Sequence, residues 1–158
     1  MGDRRIGMAF QEFTPAETLE GIVRAEALGV PTYWLATGGA GPDALTLFAA
    51  AAARTGTIRM GTSIIPTFPR HPLVAAQQAE VVANLAPGRL VLGVGPSHGL
   101  VISRAFGLPY ERPLEHLREY VTVLKSGLDT GTVSFDGARF HVHSQVPFPS
   151  SVPVMISA

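Results

Sequence analysis

Residues 92–99, LGVGPSHG, pass from an apolar run into a cluster of small and polar residues, the composition expected where a buried strand opens onto a ligand. Glycines 93, 95 and 99 are spaced G-x-G-x-x-x-G. The dinucleotide-binding fingerprint needs its third glycine one residue earlier and an acid ending the next strand, so the spacing argues against a Rossmann cofactor. Two readings of Gly93 and Gly95 stand side by side: they let a strand pack tightly and turn, or they let backbone approach a phosphate. Ser97 brings a hydroxyl and a backbone N–H that can face an anion, whereas Pro96 has no N–H to offer. His98 follows the apolar run directly and is expected to face the ligand.

The other four histidines read differently. His141 and His143 share a strand face with no third ligand near in sequence, the pattern of a solvated pair, so no metal is expected. His71 precedes Pro72 at a helix start and reads as structural, with Arg70 beside it able to bind an anion. His116 stands among Glu115, Arg118 and Glu119 on what reads as a solvated helix face. Cysteine is absent, which removes disulfide frameworks, thiolate zinc sites and cysteine nucleophiles.

A scaffold must position these residues, and the hydrophobic rhythm supplies one. Short apolar runs at 4–10, 33–36, 58–65, 89–94 and 152–157 read as strands. Helices are expected from Pro15 to Gly29 (Thr14 cap, Glu17 completing a capping box), from about Asp43, over 72–85, and from Glu111 to near Gly127. Asp136-Gly137 within 133–142 signals a tight hairpin. Strand alternating with helix, with strands apolar nearly throughout, means right-handed βαβ units around a parallel sheet. An open doubly wound sheet of five strands would be complete in 158 residues. A closed eight-stranded barrel needs about 250.

In either architecture ligands sit beyond the carboxyl ends of the strands. Those ends read Phe10-Gln11-Glu12, Ala36-Thr37-Gly38, Ser63-Ile64-Ile65-Pro66 and Gly95-Pro96-Ser97-His98. Glu12 is the one carboxylate and no lysine appears, so neither two-acid hydrolysis nor a Schiff base is supported. Small residues, hydroxyls and one histidine suit a planar cofactor that brings its own reactivity. The chain is 46% hydrophobic and 15% charged with formal net charge zero, which argues for a folded core and against nucleic acid as a partner. Its longest apolar stretch, 44–53, falls short of the ~18 residues of a membrane span. Asp3, Gln11 and Glu12 interrupt any signal-peptide core, so no membrane role and a cytoplasmic location are expected.

Four stretches together carry a family resemblance: GTSII at 61–65, PTFPRHPLVAAQQA at 66–79, GRLVLGVGPSH at 88–98 and YERPLEHLREYVTVLKSGL at 110–128. They resemble the luciferase-like monooxygenase family, and most closely its branch that uses the deazaflavin coenzyme F420. The resemblance implies an α/β fold, a TIM (β/α)8 barrel, of which residues 1–158 would form a single domain comprising the first four βα units and strand five, with a hairpin insertion at 132–142. It implies cofactor contacts at Thr62, Ser63 and Ile64, where relatives carry a bulge with a non-prolyl cis peptide, and at Gly95, Ser97 and His98, in the loop that meets the cofactor phosphate. Two departures stand out. Pro96-Ser97-His98 lacks the acidic side chain many relatives carry there, and Ala36-Thr37-Gly38 replaces an Asp-His near the reaction centre, so no catalytic residue carries over. The implied function is hydride transfer between coenzyme F420 and a small organic substrate, in a homodimer. FMN with oxygen chemistry and a non-catalytic half barrel are the alternatives.

Overall fold

The structure, a computed structural model, describes residues 6–10 and 14–157. Three short parallel strands, β1 (Gly7–Ala9), β2 (Thr32–Leu35) and β3 (Arg59–Thr62), lie side by side in chain order. β5 (Leu90–Gly95) follows, pairing with β3, with the two-residue β4 (Ile65–Pro66) and with β8 (Val154–Ile156), all parallel. The strand order never reverses. Right-handed crossovers between sequential neighbours put every helix on one face, which is barrel topology; a doubly wound sheet would need a reversal. The end of the first expected strand, Gln11 and Glu12, lies outside the described residues.

The expected third strand is one run broken in the middle. Gly61 pairs with Val91 and Ile65 with Val94, so this strand advances four residues while β5 advances three. That is a β-bulge, and it separates β3 from β4.

The helices obey their end signals. α1 (Pro15–Ala27) starts on a complete Thr14–Glu17 capping box, and Gly29 leaves it at φ 76°. α2 (Ala44–Ala52) is capped by Asp43, whose carboxylate accepts the Thr46 N–H, and α3 (Pro72–Leu85) by Nδ1 of His71, which accepts the Leu73 N–H. His71 therefore has the structural role its position suggests. Alanines 75, 76 and 79 let α3 sit close to its neighbours.

Four expectations need correction. A short helix, α4 (Gly99–Phe106), follows β5 where a loop was expected. α5 (Pro113–Thr130) runs through Gly127 to stop at left-handed Gly131. Gly127 is a contact point: a Cβ there would lie 3.3 Å from the Ala76 Cβ, so the glycine serves close packing of α5 on α3. The hairpin is wider than the Asp-Gly pair implies, since β6 (Thr132–Asp136) and β7 (His141–Gln145) pair Asp136 with His141 and leave residues 137–140 as the connection. Glu119 on α5 explains this, because its carboxylate accepts the N–H groups of Ala138, Arg139 and Phe140 and so overrides the local turn preference. Finally, His116 is buried, on the face of α5 that meets this hairpin tip.

Candidate functional site

Three features converge at the carboxyl ends of the strands. The first is the bulge. The Ser63–Ile64 peptide is cis, and the chain on each side is tied to its neighbours: the Ser63 N–H donates to Leu35 O at 2.7 Å, and the Thr37 N–H to Ile64 O at 3.1 Å. Thr62 lies just below, fully buried, its hydroxyl accepting the Gly93 N–H at 2.7 Å and donating to Gly93 O at 2.8 Å. This pair of hydrogen bonds to one backbone residue holds the bulge where ordinary ladder pairing is interrupted.

The second feature is the turn from β5 into α4. Ser97 has φ 63°, a left-handed conformation that side chains with a Cβ adopt at a cost, and Tyr110 donates its hydroxyl to Ser97 O at 2.9 Å. His98 is the N-cap of α4 but makes no side-chain capping bond. The N–H groups of Val101 and Ile102 both reach His98 O, so the amides of Gly99 and Leu100 have no acceptor within the helix.

The third feature is the space between them. A cavity of about 370 Å³ is lined by Ala36, Thr37, Ser63, Ile64, Gly95, Pro96, Ser97, His98, Tyr110 and Ser157. Of the six residues the sequence nominates, Ser63, Ile64, Gly95, Ser97 and His98 line it together. Thr62 does not reach it; its hydroxyl is spent on Gly93. No Asp, Glu, Lys or Arg is among the lining residues.

Thr37 also borders a neighbouring recess of about 170 Å³ that contains Asp43, Arg70 and Phe106. Arg70 is not free to take an anion there, because its guanidinium is held by the Asp43 carboxylate and by Gln78 Oε1. His141 and His143 are exposed and both meet Asp136 Oδ1, at 3.3 and 3.1 Å. Among the described residues no group of three or more His, Cys, Asp or Glu is arranged to hold a metal ion, and no helix is long and apolar enough to cross a membrane.

Tyr110, like Ser157, is a lining residue that sequence reasoning missed. It stands thirteen residues beyond Ser97, across the short helix that went unrecognised. Its ring lies against Phe68 with centroids 4.8 Å apart, and Phe68 is stacked on His116 at 4.0 Å and 10°. Burial pushes the His116 imidazole below its ordinary pKa, against the opposing pull of its Thr67 contact.

Known proteins resemble this chain in sequence and in fold. An F420-dependent glucose-6-phosphate dehydrogenase of Intrasporangium calvum is 32% identical over 94% of this chain and 49% of its own length. The protein of the same name from Nocardia farcinica is 33% identical over 100% of this chain and 52% of its own. The chain thus spans about half the length of the curated relatives it matches. Among solved structures, a coenzyme F420 dependent tetrahydromethanopterin reductase from Methanopyrus kandleri superimposes with TM-score 0.85 at 22% identity, covering 98% of this chain and 50% of that one. An F420-dependent secondary alcohol dehydrogenase, solved with an F420-acetone adduct, gives TM-score 0.84 at 21% identity over 96% and 51%. These likenesses show the fold, the TIM-barrel type of the luciferase-like proteins. With the family described as luciferase-like monooxygenase matching residues 3–158, the chain belongs to that family.

Proposed function

We propose that this chain forms the cofactor-holding part of an oxidoreductase that uses coenzyme F420 to exchange a hydride with a small organic substrate. The names of its curated relatives support the cofactor. The observation that carries the reading is the cavity itself, which gathers the bulge at Ser63–Ile64, left-handed Ser97 and the α4 N-cap His98.

The residues present fit such a group. A flat ring needs a wall of backbone and small side chains, which Ala36, Ser63, Ile64 and Gly95 supply. An anionic tail needs donors without a competing carboxylate, which the Ser97 hydroxyl and the Gly99 and Leu100 amides supply. The deazaflavin carries carbon where a flavin has N5, and so supplies a hydride donor or acceptor that activates oxygen poorly.

The chain's own contribution is placement. Ser63 and Ile64 would set the depth and tilt of the ring, because the hydrogen bonds to Leu35 and from Thr37 leave the bulge little freedom. Ser97 and the start of α4 would anchor the tail, and His98 would stand at the rim. Fixing ring and substrate within a near-attack distance of about 3–3.5 Å is worth several orders of magnitude in rate. The partly exposed face of α3, with Val74, Val81 and Leu85 outward, supports the further reading that the protein is a homodimer.

A parallel fluorescence titration of the 158-residue chain with F420 and with FMN tests the proposal. Saturable binding of F420 and not of FMN is the expected result. Binding of FMN alone, or of neither, overturns it for this chain.

A further inference from the structure

The loop that would anchor the cofactor tail is held by one contact from the cavity wall and one from outside it, and both lead to one residue. Gly95 O accepts the Thr67 N–H at 2.9 Å. Ser97 O accepts the Tyr110 hydroxyl at 2.9 Å. The Tyr110 ring also lies against Gly99, where a Cβ would come 2.9 Å from Tyr110 Cδ1, so this one side chain spans 97–99. Both supports rest on His116. Its Nε2 meets Thr67 Oγ1 at 3.1 Å, and its ring carries Phe68, which carries Tyr110. His116 is itself wedged against Tyr120 and the hairpin residue Phe140, with centroids at 5.9 and 5.3 Å.

We propose that Tyr110 and His116 are positioning residues of the cofactor pocket: from outside it, His116 fixes Thr67 and Phe68, and through them the Gly95 and Ser97 carbonyls whose orientation sets the anion-facing amides at the start of α4. The inference rests on the function proposed above and deepens it, since it extends the site to a residue that lines no part of the cavity. The geometry favours this over simple core packing. A filler ring needs only apolar neighbours, whereas His116 spends a nitrogen on a buried hydroxyl whose own backbone N–H holds the loop. The hairpin gains a role as well. Its tip is tied to α5 through Glu119, which keeps Phe140 against the imidazole.

Two variants of the full chain test the two supports separately. Tyr110→Phe keeps the ring and removes the donor to Ser97. His116→Phe keeps a ring on Phe68 and removes the bond to Thr67. Each is expected to weaken F420 binding about fivefold, the size of one lost hydrogen bond. Each should also leave a local signature in amide hydrogen exchange: faster exchange at Val101 and Ile102, whose N–H groups bond His98 O in the released turn, in the tyrosine variant, and at Thr67 in the histidine variant, with the β6–β7 hairpin unchanged in the first. His116→Gln, whose amide can again reach Thr67, should restore Thr67 protection. Variants that keep wild-type exchange at these amides, or that lose protection without losing affinity, overturn the inference. If the wild-type chain binds no F420, the proposed function falls, and exchange at Thr67, Val101 and Ile102 still decides whether these two side chains hold the loop.

Discussion

The two ends of this sheet keep local rules to different degrees. At the amino ends, Glu26 on α1 reaches the turn before β3 and accepts N–H groups from Gly56, Thr57 and Ile58 at 3.0, 2.5 and 2.8 Å, with the Thr57 hydroxyl at 2.9 Å. The turn's donors are satisfied by one carboxylate, and the left turn after α1 falls on a glycine, Gly29. At the carboxyl ends a serine and an arginine, Ser97 and Arg112, take left-handed conformations, and two of the helices that begin there, α4 and α5, lack a side-chain cap, whereas α1, α2 and α3 carry theirs. Local rules hold at these amino-end turns and are relaxed at the turns into α4 and α5.

The largest test of this contrast compares two glycines. A Cβ at Gly93 would lie 2.0 Å from Thr62 O, which is strand backbone beside the bulge, and it would disturb both hydrogen bonds that Thr62 makes there. Gly93→Ala is expected to destabilise the chain by about 4 kcal/mol or more. At Gly29 the added Cβ meets nothing within 4 Å, and only the left-handed conformation resists it, so Gly29→Ala should cost about 1–2 kcal/mol. Urea unfolding of the two variants measures both. Equal costs would mean that the bulge is no more tightly built than an open turn.

Acid should separate the ends next. Glu26 is partly desolvated, which raises its pKa, but the N–H groups of Ile58, Thr57 and Gly56 and the Thr57 hydroxyl outweigh this and lower it to about 2. A carboxylate depressed in the folded state stabilises fully above its unfolded pKa near 4.5, and loses that contribution as pH falls toward 2. His116 behaves in the same sense in a higher window. Burial lowers its folded pKa, so the unfolded chain takes up a proton first, and stability drops as pH falls below about 6.5. Melting midpoints from pH 8 to 2 should fall in two stages. Glu26→Gln should flatten the lower stage and His116→Phe the upper one. A single stage removed by either variant would dissolve the distinction between the ends. Glu119 is lowered too, partial desolvation opposing the three N–H bonds of the hairpin tip, and its release belongs with the lower stage.

How much of this was legible follows the same division. The capping box at Thr14, the start of α2 near Asp43, α3 to the residue, and the strand that became β5 are all visible because their signals lie within a few neighbouring residues. The cavity's five nominated lining residues were legible through strand ends and the family resemblance together. What was not legible depends on partners far along the chain. His116 reads as solvated among charged neighbours, yet the rings that bury it, Phe68 and Phe140, come from two other loops. Gly127 looks like a helix stop because sequence does not show Ala76 against it. Asp136-Gly137 looks like a two-residue turn because Glu119 is not adjacent. α4 escaped notice because eight residues carry little periodicity, although left-handed Gly107 marks its end.

The smallest expected effect is at Ser97, and it bears most directly on why a rule is broken there. Ser97→Gly removes the Cβ that resists φ 63°, a relief of about 1 kcal/mol, while the freer unfolded chain takes back roughly half of it. The net gain should raise the melting midpoint by about 1–2 °C. Ser97→Ala keeps the Cβ and should melt with the wild type. Both variants lose the hydroxyl, so both should bind F420 about fivefold more weakly if that hydroxyl meets the anionic tail. A glycine variant that is more stable and binds less well would mean that serine is kept at a left-handed position for its oxygen, at the expense of fold stability. A glycine variant that binds as well as wild type would mean that the backbone turn alone makes the anchor, and that the side chain at 97 obeys no rule of the site.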